Sequence, residues 1–423
     1  MGGGPAGLLL GRAPWQVRAA AVVLFTLSAA RPYAKSRIGL DNAVVVRAAR
    51  TLLEGGSPYA DRRFLYLPGA VFAALPQAGL PERVLFYAVP LATGAFVGAG
   101  ALLALGLFEV RRDSRLAALL LVGLAFFLPF QSLVFLGNWT VVAIVAFPAA
   151  LLLARRGRWS GAGAVVGGSI ALKPMLVPVL LLFVLARRWR ALGWAVALAA
   201  VLSLAAAVAM PHPELFLTRT LPFLLHGQDA YARPYDASWP AVLPRLGVPQ
   251  APALVLGCVF AVGLLGAAWL RWRGGERCEG RGEALRLVEC ASLLMLAAFV
   301  VCRPSFQNYA LVVVPSLAVS VVAGGAAARS VWFWVPLVPE WGGVPWPGLE
   351  SAVHHAFKDI VMYGGLGMVL AVTAWRQWRG WRVVTPPGSP GTAGVVTLSS
   401  CRYSLCKHVG AGRLRKPPEV FRK

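Results

Sequence analysis

Long apolar runs recur along the chain from residue 17 to residue 375, separated by short loops that carry most of the arginines. Hydrophobic residues make up 58% of the 423 positions and charged residues only 14%, against roughly 25% charged in a typical soluble domain. A soluble core does not need so much apolar side chain, and the same composition excludes disorder for most of the chain. The sequence therefore predicts an all-α, polytopic integral membrane protein, a bundle of helices in a lipid bilayer.

The charge balance is strongly basic, with 41 Lys and Arg against 17 Asp and Glu, a net charge of +24. The basic residues lie in short clusters between apolar runs, which indicates positive-inside loops and contact with anionic lipid. No aromatic-interleaved basic patch is present, so we expect no nucleic-acid partner. The six cysteines show neither CxxC pairs nor histidine partners at the spacing of a zinc site, so we expect no disulfide framework and no metal or other cofactor.

The apolar runs and the Lys and Arg residues between them predict about ten membrane crossings with both termini in the cytoplasm. The first run, residues 17–30, is compatible with a signal peptide, but the many later runs favour a retained helix. The remaining predicted crossings are residues 85–108, 116–136, 140–154, 191–210, 253–270, 287–301, 310–326, 331–346 and 360–375. We expect residues 1–376 to form the membrane domain and residues 377–423 to be a basic, disordered cytoplasmic tail.

Residues 161–186 do not fit a simple crossing, because basic clusters flank them on both sides. Two apolar arms, residues 161–172 and 176–186, are interrupted at Lys173. Each arm is roughly 17 Å long at 1.5 Å per residue, too short for a hydrocarbon core of about 30 Å. The pattern predicts a re-entrant helical hairpin that enters from the cytoplasm and carries Lys173 at its tip.

Asp41 lies in the first predicted outside loop, just before a helical stretch that Gly55 and Gly56 should end. A carboxylate there is either the N-cap of this helix, as Asn42 also could be, or a general base outside the membrane. The loop also contains several arginines, against the positive-inside rule. They are either solvated or matched to an anion such as a lipid phosphate.

Lys173 is an ammonium at membrane depth, which costs about 2.5–3.5 kcal/mol on insertion scales. A partner is therefore expected. One alternative is a lipid phosphate that Lys173 reaches from the hairpin tip. The other is that the ammonium snorkels to a water-filled cavity or pairs with a carboxylate of the protein.

Two outside segments offer further polar groups. In residues 211–239, Arg219 and His226 can donate hydrogen bonds to a phosphate, whereas Asp229, Tyr231 and Trp239 offer the carboxylate and aromatic chemistry suited to sugars. In the turn at residues 303–309, Gln307 and Tyr309 are further polar groups that could bind a phosphate. The alternative for this turn is a capped helix end without ligand.

Several strings give the chain a likeness to a known group. The more specific ones are LKPMLVP at residues 172–178 with RWRAL at 188–192, and TRTLPF at 218–223; weaker ones are SPY at 57–59, YLPG at 66–69 and GN at 137–138. On these residues the chain resembles the polyprenyl-phosphate-dependent, C-type membrane glycosyltransferases of family 87. The likeness covers roughly residues 41–315. One departure is Tyr66-Leu67-Pro68, where family members often have Tyr-Pro-Pro.

The resemblance implies a polyprenyl-phosphate donor carrying arabinofuranose or mannose, an extracytoplasmic glycan acceptor, and inversion at the anomeric carbon. It places the general base on Asp41, in the first outside loop of a multi-pass plasma-membrane protein. A polyprenyl phosphate leaves as a stable anion, so one base and phosphate-stabilising cations suffice. A mannosyltransferase of the same family is the nearest alternative. Other classes are a flippase or transporter of lipid-linked sugar and a non-catalytic scaffold, although no internal repeat favours a transporter.

Overall fold

A computed structural model of the chain describes residues 5–35, 38–226, 233–274, 280–342 and 351–384. Within these ranges the protein is helical, and extended pairing is limited to two isolated β-bridges. The predicted all-α class is therefore confirmed. The chain divides into two units, residues 1–381 and 382–423, and the second is described only for its first three residues.

The described residues of the first half of the chain form nine α-helices. They are α1 (Pro5–Leu10), α2 (Trp15–Ala30), α3 (Leu40–Leu53), α4 (Pro68–Ala78), α5 (Glu82–Leu107), α6 (Arg115–Phe126), α7 (Leu128–Leu136), α8 (Thr140–Arg155) and α9 (Trp159–Leu172). Gly55, with φ 79°, follows the end of α3 as predicted.

The described second half contributes nine more. They are α10 (Leu180–Leu185), α11 (Trp189–Val208), α12 (Leu221–His226), α13 (Trp239–Arg245), α14 (Gln250–Arg273), α15 (Arg281–Val301), α16 (Val314–Val319), α17 (Val331–Trp334) and α18 (Ser351–Val384). Shorter helical turns lie at Arg31–Ala34, Pro58–Ala60, Pro174–Val179, Phe216–Thr220, Arg233–Tyr235, Gln307–Val312, Ser320–Val322, Ala327–Arg329 and Val335–Glu340.

Five helices of the described residues are long and apolar enough to cross a membrane: α5, α11, α14, α15 and most of α18. The predicted count of ten crossings is not confirmed. The predicted crossing at residues 116–136 is divided into α6 and α7 at Phe127, because Pro129 starts a new helix. The predicted crossing at residues 331–346 is described only up to residue 342, and that part contains a short helix, Val331–Trp334, followed by a proline-rich turn, Val335–Glu340.

The predicted hairpin around Lys173 is present as a reversal of the chain. Helix α9 ends at Leu172, Lys173 is extended, and Pro174 opens the return arm. The two arms meet again at their base, where the ring centroids of Trp159 and Phe183 are 6.4 Å apart. The side from which the hairpin enters a membrane stays a prediction.

Glycines let the hairpin pack tightly against α11. A Cβ on Gly163 would lie 2.1 Å from the Ala191 carbonyl oxygen, and one on Gly167 would lie 2.5 Å from that of Ala195. The backbones of α9 and α11 therefore approach more closely than larger residues allow, which is the usual arrangement of small residues between membrane helices.

Helices α3 and α4 form a separate small core with the start of α8. This core contains twelve buried residues, among them Tyr59, Phe64, Tyr66, Val71 and Trp139, distinct from the main core of the bundle. We call the α3–α4 layer the cap. The candidate site lies where the cap meets the bundle.

The expected boundary at residue 376 does not coincide with a helix end, because α18 continues to Val384. The rest of the predicted tail, residues 385–423, lies outside the described residues.

Candidate active site

Asp41 lies in the first turn of α3 and faces the start of α8. The N-cap of α3 is Gly39, with φ 69°, and no side chain caps the helix, so the N-cap interpretation of Asp41 or Asn42 is wrong. Instead, Asp41 Oδ2 accepts a hydrogen bond of 2.5 Å from Asn138 Nδ2. Burial raises the pKa of Asp41, and the positive charge of Lys173 and the Asn138 hydrogen bond oppose that shift.

Backbone contacts hold Asn138 against Asp41. Gly137 ends α7 with φ 62°, and a Cβ there would lie 2.6 Å from Val89 Cγ1 and 3.2 Å from Gly39 Cα. This close approach lets the Gly39 N–H donate to the Phe135 carbonyl at 2.8 Å. The arrangement therefore needs a glycine at position 137, both for its positive φ and for the missing side chain.

Lys173 reaches the same asparagine from the hairpin tip. Its Nζ donates to Asn138 Oδ1 at 2.8 Å and to Thr140 Oγ1 at 2.9 Å. The ammonium also lies 5.5 Å from the ring centroid of Tyr66 and 5.0 Å from that of Tyr309, within cation–π range. Two tyrosine rings and two hydrogen bonds therefore fix the position of a cation that would be costly to leave unpartnered.

The carboxylate and the ammonium are joined through one amide and do not touch each other. Both side chains are only partly buried. No hydrogen bond from the described residues reaches Asp41 Oδ1, and the third N–H of Lys173 has no acceptor among them. An acceptor oxygen and a donor N–H therefore remain available at one site, where a proton and a phosphate could be bound side by side.

A second polar network lies at the start of the turn that contains Tyr309. That network centres on the buried Asp236, whose Oδ1 accepts from the backbone N–H groups of Ser238 at 3.0 Å and Ser305 at 3.1 Å. Arg303 Nε lies 3.4 Å from Asp236 Oδ2. The turn that carries Gln307 and Tyr309 is thereby held in place at its beginning.

The structure brings together only some of the residues predicted for the site. Asp41, Lys173 and Tyr309 share one site, and Gln307 lies two residues before Tyr309. Arg219 is exposed and donates from Nη1 to the Ala60 carbonyl at 3.2 Å, on the cap, and no contact between it and Lys173 is present among the described residues. Its predicted role at the phosphate stays a prediction.

The remaining predicted site residues, the phosphate candidate His226 and the sugar-contacting candidates Asp229, Tyr231 and Trp239, are less well defined. Trp239 stacks on Phe260, with ring centroids 4.4 Å apart, and packs against Gly364 of α18. His226 is the last residue of α12 and its side chain is outside the described part, as are Asp229 and Tyr231 altogether. The roles of these four residues stay predictions.

Two arginines of the first predicted outside loop have partners within the protein. Arg50 donates to the carbonyl oxygens of Ala78 and Leu80 at 3.0 Å each, and Arg47 lies 3.8 Å from Asp61. These two therefore hold the cap together and do not require an external anion.

Sequence reasoning missed several members of these networks. Asn138 and Tyr66 were named only as parts of motifs, without a role, and Thr140 was not singled out. A buried pair, Lys358 and Glu340, with Nζ and Oε2 3.7 Å apart, was also missed. An ionisable residue within an apolar stretch is a signal that could have found this pair.

The fold and the site define a class: a helical membrane protein with a carboxylate and an ammonium held where the cap meets the bundle. The sequence profile described as glycosyltransferase family 87 matches residues 64–302. The chain belongs to this family, as its motifs suggested.

The chain is 36% identical over 224 residues to the alpha-(1->3)-arabinofuranosyltransferase of Mycobacterium tuberculosis, in both strain CDC 1551 / Oshkosh and strain ATCC 25618 / H37Rv. This covers 51% of the chain and 49% of that protein. It is 27% identical over 283 residues to the alpha-(1->3)-arabinofuranosyltransferase of Mycolicibacterium smegmatis, covering 66% and 64%. No solved structure matches the chain.

The chain thus spans about half the length of the M. tuberculosis relatives. The family match includes Tyr66, Asn138 and Lys173 but neither Asp41 nor Tyr309. The role of Asp41 therefore depends on the geometry around it.

Proposed function

We propose that the protein transfers a sugar, arabinofuranose in the first instance, from a polyprenyl-phosphate donor to a glycan acceptor outside the plasma membrane. Family membership and the arabinofuranosyltransferase relatives support the reaction class and the sugar. The observation that carries the proposal is the pairing of Asp41 and Lys173 through Asn138, with one carboxylate oxygen and one N–H that have no partner among the described residues.

In this proposal Asp41 is the general base. It removes the proton of an acceptor hydroxyl while that oxygen attacks C1 of the donor sugar, and the C1–oxygen bond to the phosphate breaks. General base catalysis of this kind contributes roughly 10²–10⁴ in rate. The raised pKa of Asp41 makes it a better proton acceptor than an ordinary carboxylate once it is ionised.

Lys173 is the proposed partner of the donor phosphate. Its free N–H would donate a charge-assisted hydrogen bond to a phosphate oxygen, and the bond would strengthen as negative charge develops on the leaving group. The phosphate departs as a stable anion, so the reaction needs no general acid. Arg219, His226, Gln307 and Tyr309 remain candidate donors to the same phosphate.

The displacement is a single step, so we expect inversion at C1. Attack comes from the side of Asp41 and the phosphate leaves on the side of Lys173. Asp229, Tyr231 and Trp239 remain the proposed acceptor contacts. The site would lie on the extracytoplasmic face, where acceptor glycans occur.

The test is transfer by the purified protein in lipid nanodiscs. Polyprenyl-phosphate-arabinofuranose and polyprenyl-phosphate-mannose are each supplied with arabinan and mannan oligosaccharides, and the products are analysed for anomeric configuration. We expect transfer from the arabinofuranose donor with inversion, and none from a nucleotide-activated sugar.

Three other outcomes are informative. Transfer from the mannose donor alone would replace the sugar and keep the mechanism. Retention at C1 would contradict the single displacement. Movement of labelled donor across the bilayer of a proteoliposome without any transfer would identify a flippase and overturn the proposal.

A further inference from the structure

We infer that Asn138 is a positioning residue that holds the Asp41 carboxylate and the Lys173 ammonium apart and fixes the orientation of each. The inference deepens the proposed function and rests on it for the roles of Asp41 and Lys173.

The oxygen side of the amide receives only donors. Asn138 Oδ1 accepts from Lys173 Nζ at 2.8 Å, from the Thr140 backbone N–H at 2.9 Å and from Thr140 Oγ1 at 2.6 Å. A flipped amide would direct its NH₂ group at these three donors. The hydrogen bonds therefore assign the oxygen to the Lys173 side and the NH₂ group to Asp41.

The amide prevents a direct ion pair. A carboxylate and an ammonium this close, in a partly buried site, attract each other strongly. Direct contact would occupy both the proton-accepting oxygen and the charge that a donor phosphate needs. With Asn138 between them, Asp41 Oδ2 and two of the Lys173 N–H groups are occupied, and Asp41 Oδ1 and the third N–H stay available.

Thr140 keeps the amide in this orientation. Its hydroxyl donates to Asn138 Oδ1 and accepts from Lys173 Nζ, so it bonds to both partners. The Asn138 and Thr140 side chains are 5% and 0% exposed, which excludes water as a replacement for these contacts on the closed side. A residue that only filled space here would not need donors and acceptors at these positions.

Asn42 provides a matched control within the same interface. It is also a buried asparagine, 5% exposed, and its amide is bonded on both sides, to Trp139 Nε1 at 2.9 Å and to Gln77 Oε1 at 2.9 Å. Neither of these bonds involves Asp41 or Lys173. Loss of Asn42 should therefore weaken the cap without moving the two charges.

The experiment compares Asn138→Ala, Asn42→Ala and Thr140→Val in nanodiscs by two measurements. The first is the pH dependence of kcat at saturating donor. The second is the titration of the Asp41 carboxyl by difference infrared spectroscopy, with Asp41→Asn to identify its band. The infrared titration does not require transferase activity.

For Asn138→Ala we expect kcat to fall about 10- to 100-fold, the range for loss of a hydrogen bond to a charged group. Its Asp41 titration and the acid limb of kcat should both move to higher pH, because a bond that favours the carboxylate is lost. Thr140→Val should shift the titration in the same direction by less. Asn42→Ala should lower thermal stability and leave the titration unchanged.

Two results separate the possible failures. If wild-type protein transfers sugar and Asn138→Ala moves the titration no more than Asn42→Ala does, the positioning role is wrong and the proposed function survives. If Asn138→Ala moves the titration but no polyprenyl-phosphate sugar is transferred by wild-type protein, the inference holds and the proposed function fails. Should Asn138→Ala not fold, the Asp41 titration in Thr140→Val decides whether the positioning role holds, again by comparison with Asn42→Ala.

Discussion

Two pairs of opposite charges lie at different places in this bundle, and they are built differently. Arg271 of α14 and Glu289 of α15 are in direct contact, with Nε and Oε2 2.5 Å apart and side chains only 6% and 2% exposed. Asp41 and Lys173 are partly exposed and meet only through Asn138. The first pair uses its charges on each other, whereas the second leaves part of each charge available to a ligand.

The surroundings reinforce this difference. The second oxygen of Glu289 accepts from the Ala327 N–H at 3.1 Å, so both carboxylate oxygens have partners. This pair ties α14, α15 and the turn at Ala327–Arg329 together. A charged residue in a membrane protein therefore does not by itself indicate function. The distinguishing feature is whether the charged groups keep hydrogen-bonding capacity for a ligand after their internal partners are bound.

The largest effect on stability should come from breaking the direct ion pair between Arg271 and Glu289. Glu289→Leu leaves Arg271 buried without its partner, which typically costs 3–5 kcal/mol. We expect a large drop in thermal stability, measured by unfolding in detergent, and unchanged kcat for the protein that remains folded.

A double variant sharpens this prediction. Arg271→Met combined with Glu289→Leu replaces the ion pair by apolar side chains of similar size, which is often neutral. It should recover most of the lost stability. A double variant as unstable as Glu289→Leu would show that the pair has a role beyond mutual compensation.

Much of the fold class was predictable from the sequence, and so was the hairpin with Lys173 at its tip, because apolar runs and their interruptions are local patterns. The site was predictable only in part. Asp41 and Asn138 are 97 positions apart, and Lys173 is a further 35 beyond Asn138, so their contact depends on packing that no local pattern reveals. Gly137 shows why: its role is the close approach to Gly39, which only the folded chain displays.

The predicted number of crossings is not confirmed, for a related reason. Hydropathy does not register that Pro129 starts a new helix after Phe127, or that Pro336 and Pro339 lie in a short turn at Val335–Glu340. Proline interrupts helices locally, while an averaged hydropathy window stays high.

The next largest effect should come from removing the charge of Lys173, which meets Asp41 only through Asn138. Lys173→Met keeps the apolar stem and removes the charge, so the hairpin should still form. We expect donor affinity to fall about 10- to 100-fold through loss of a charge-assisted hydrogen bond, with little change for the acceptor. Titration of donor and acceptor separately gives both constants. An unchanged donor constant would mean that the Lys173 charge only completes the internal network.

The smallest expected effect is on the pH at which kcat falls on the acid side of its pH profile. Burial raises the pKa of Asp41, and only the deprotonated form can accept a proton, so activity should be lost as pH falls through that raised value. The acid limb of kcat should therefore lie above the pH expected for an exposed aspartate. Lys173→Met removes a charge that lowers this pKa, so its limb should move to still higher pH at saturating donor. A limb at the pH of an exposed carboxylate would contradict the assignment of Asp41 as the titrating base.

The most direct test of the central claim is the transfer rate of Asp41→Asn. Asparagine retains the size of the side chain but cannot accept the proton, and thermal unfolding of the variant checks that the cap is intact. The measurement is kcat at saturating polyprenyl-phosphate sugar and acceptor. The control is Glu289→Gln, which changes the direct ion pair with Arg271. We predict a loss of about 10²–10⁴ in Asp41→Asn with donor binding retained, and little loss in the control. Full activity in a folded Asp41→Asn protein would contradict the account.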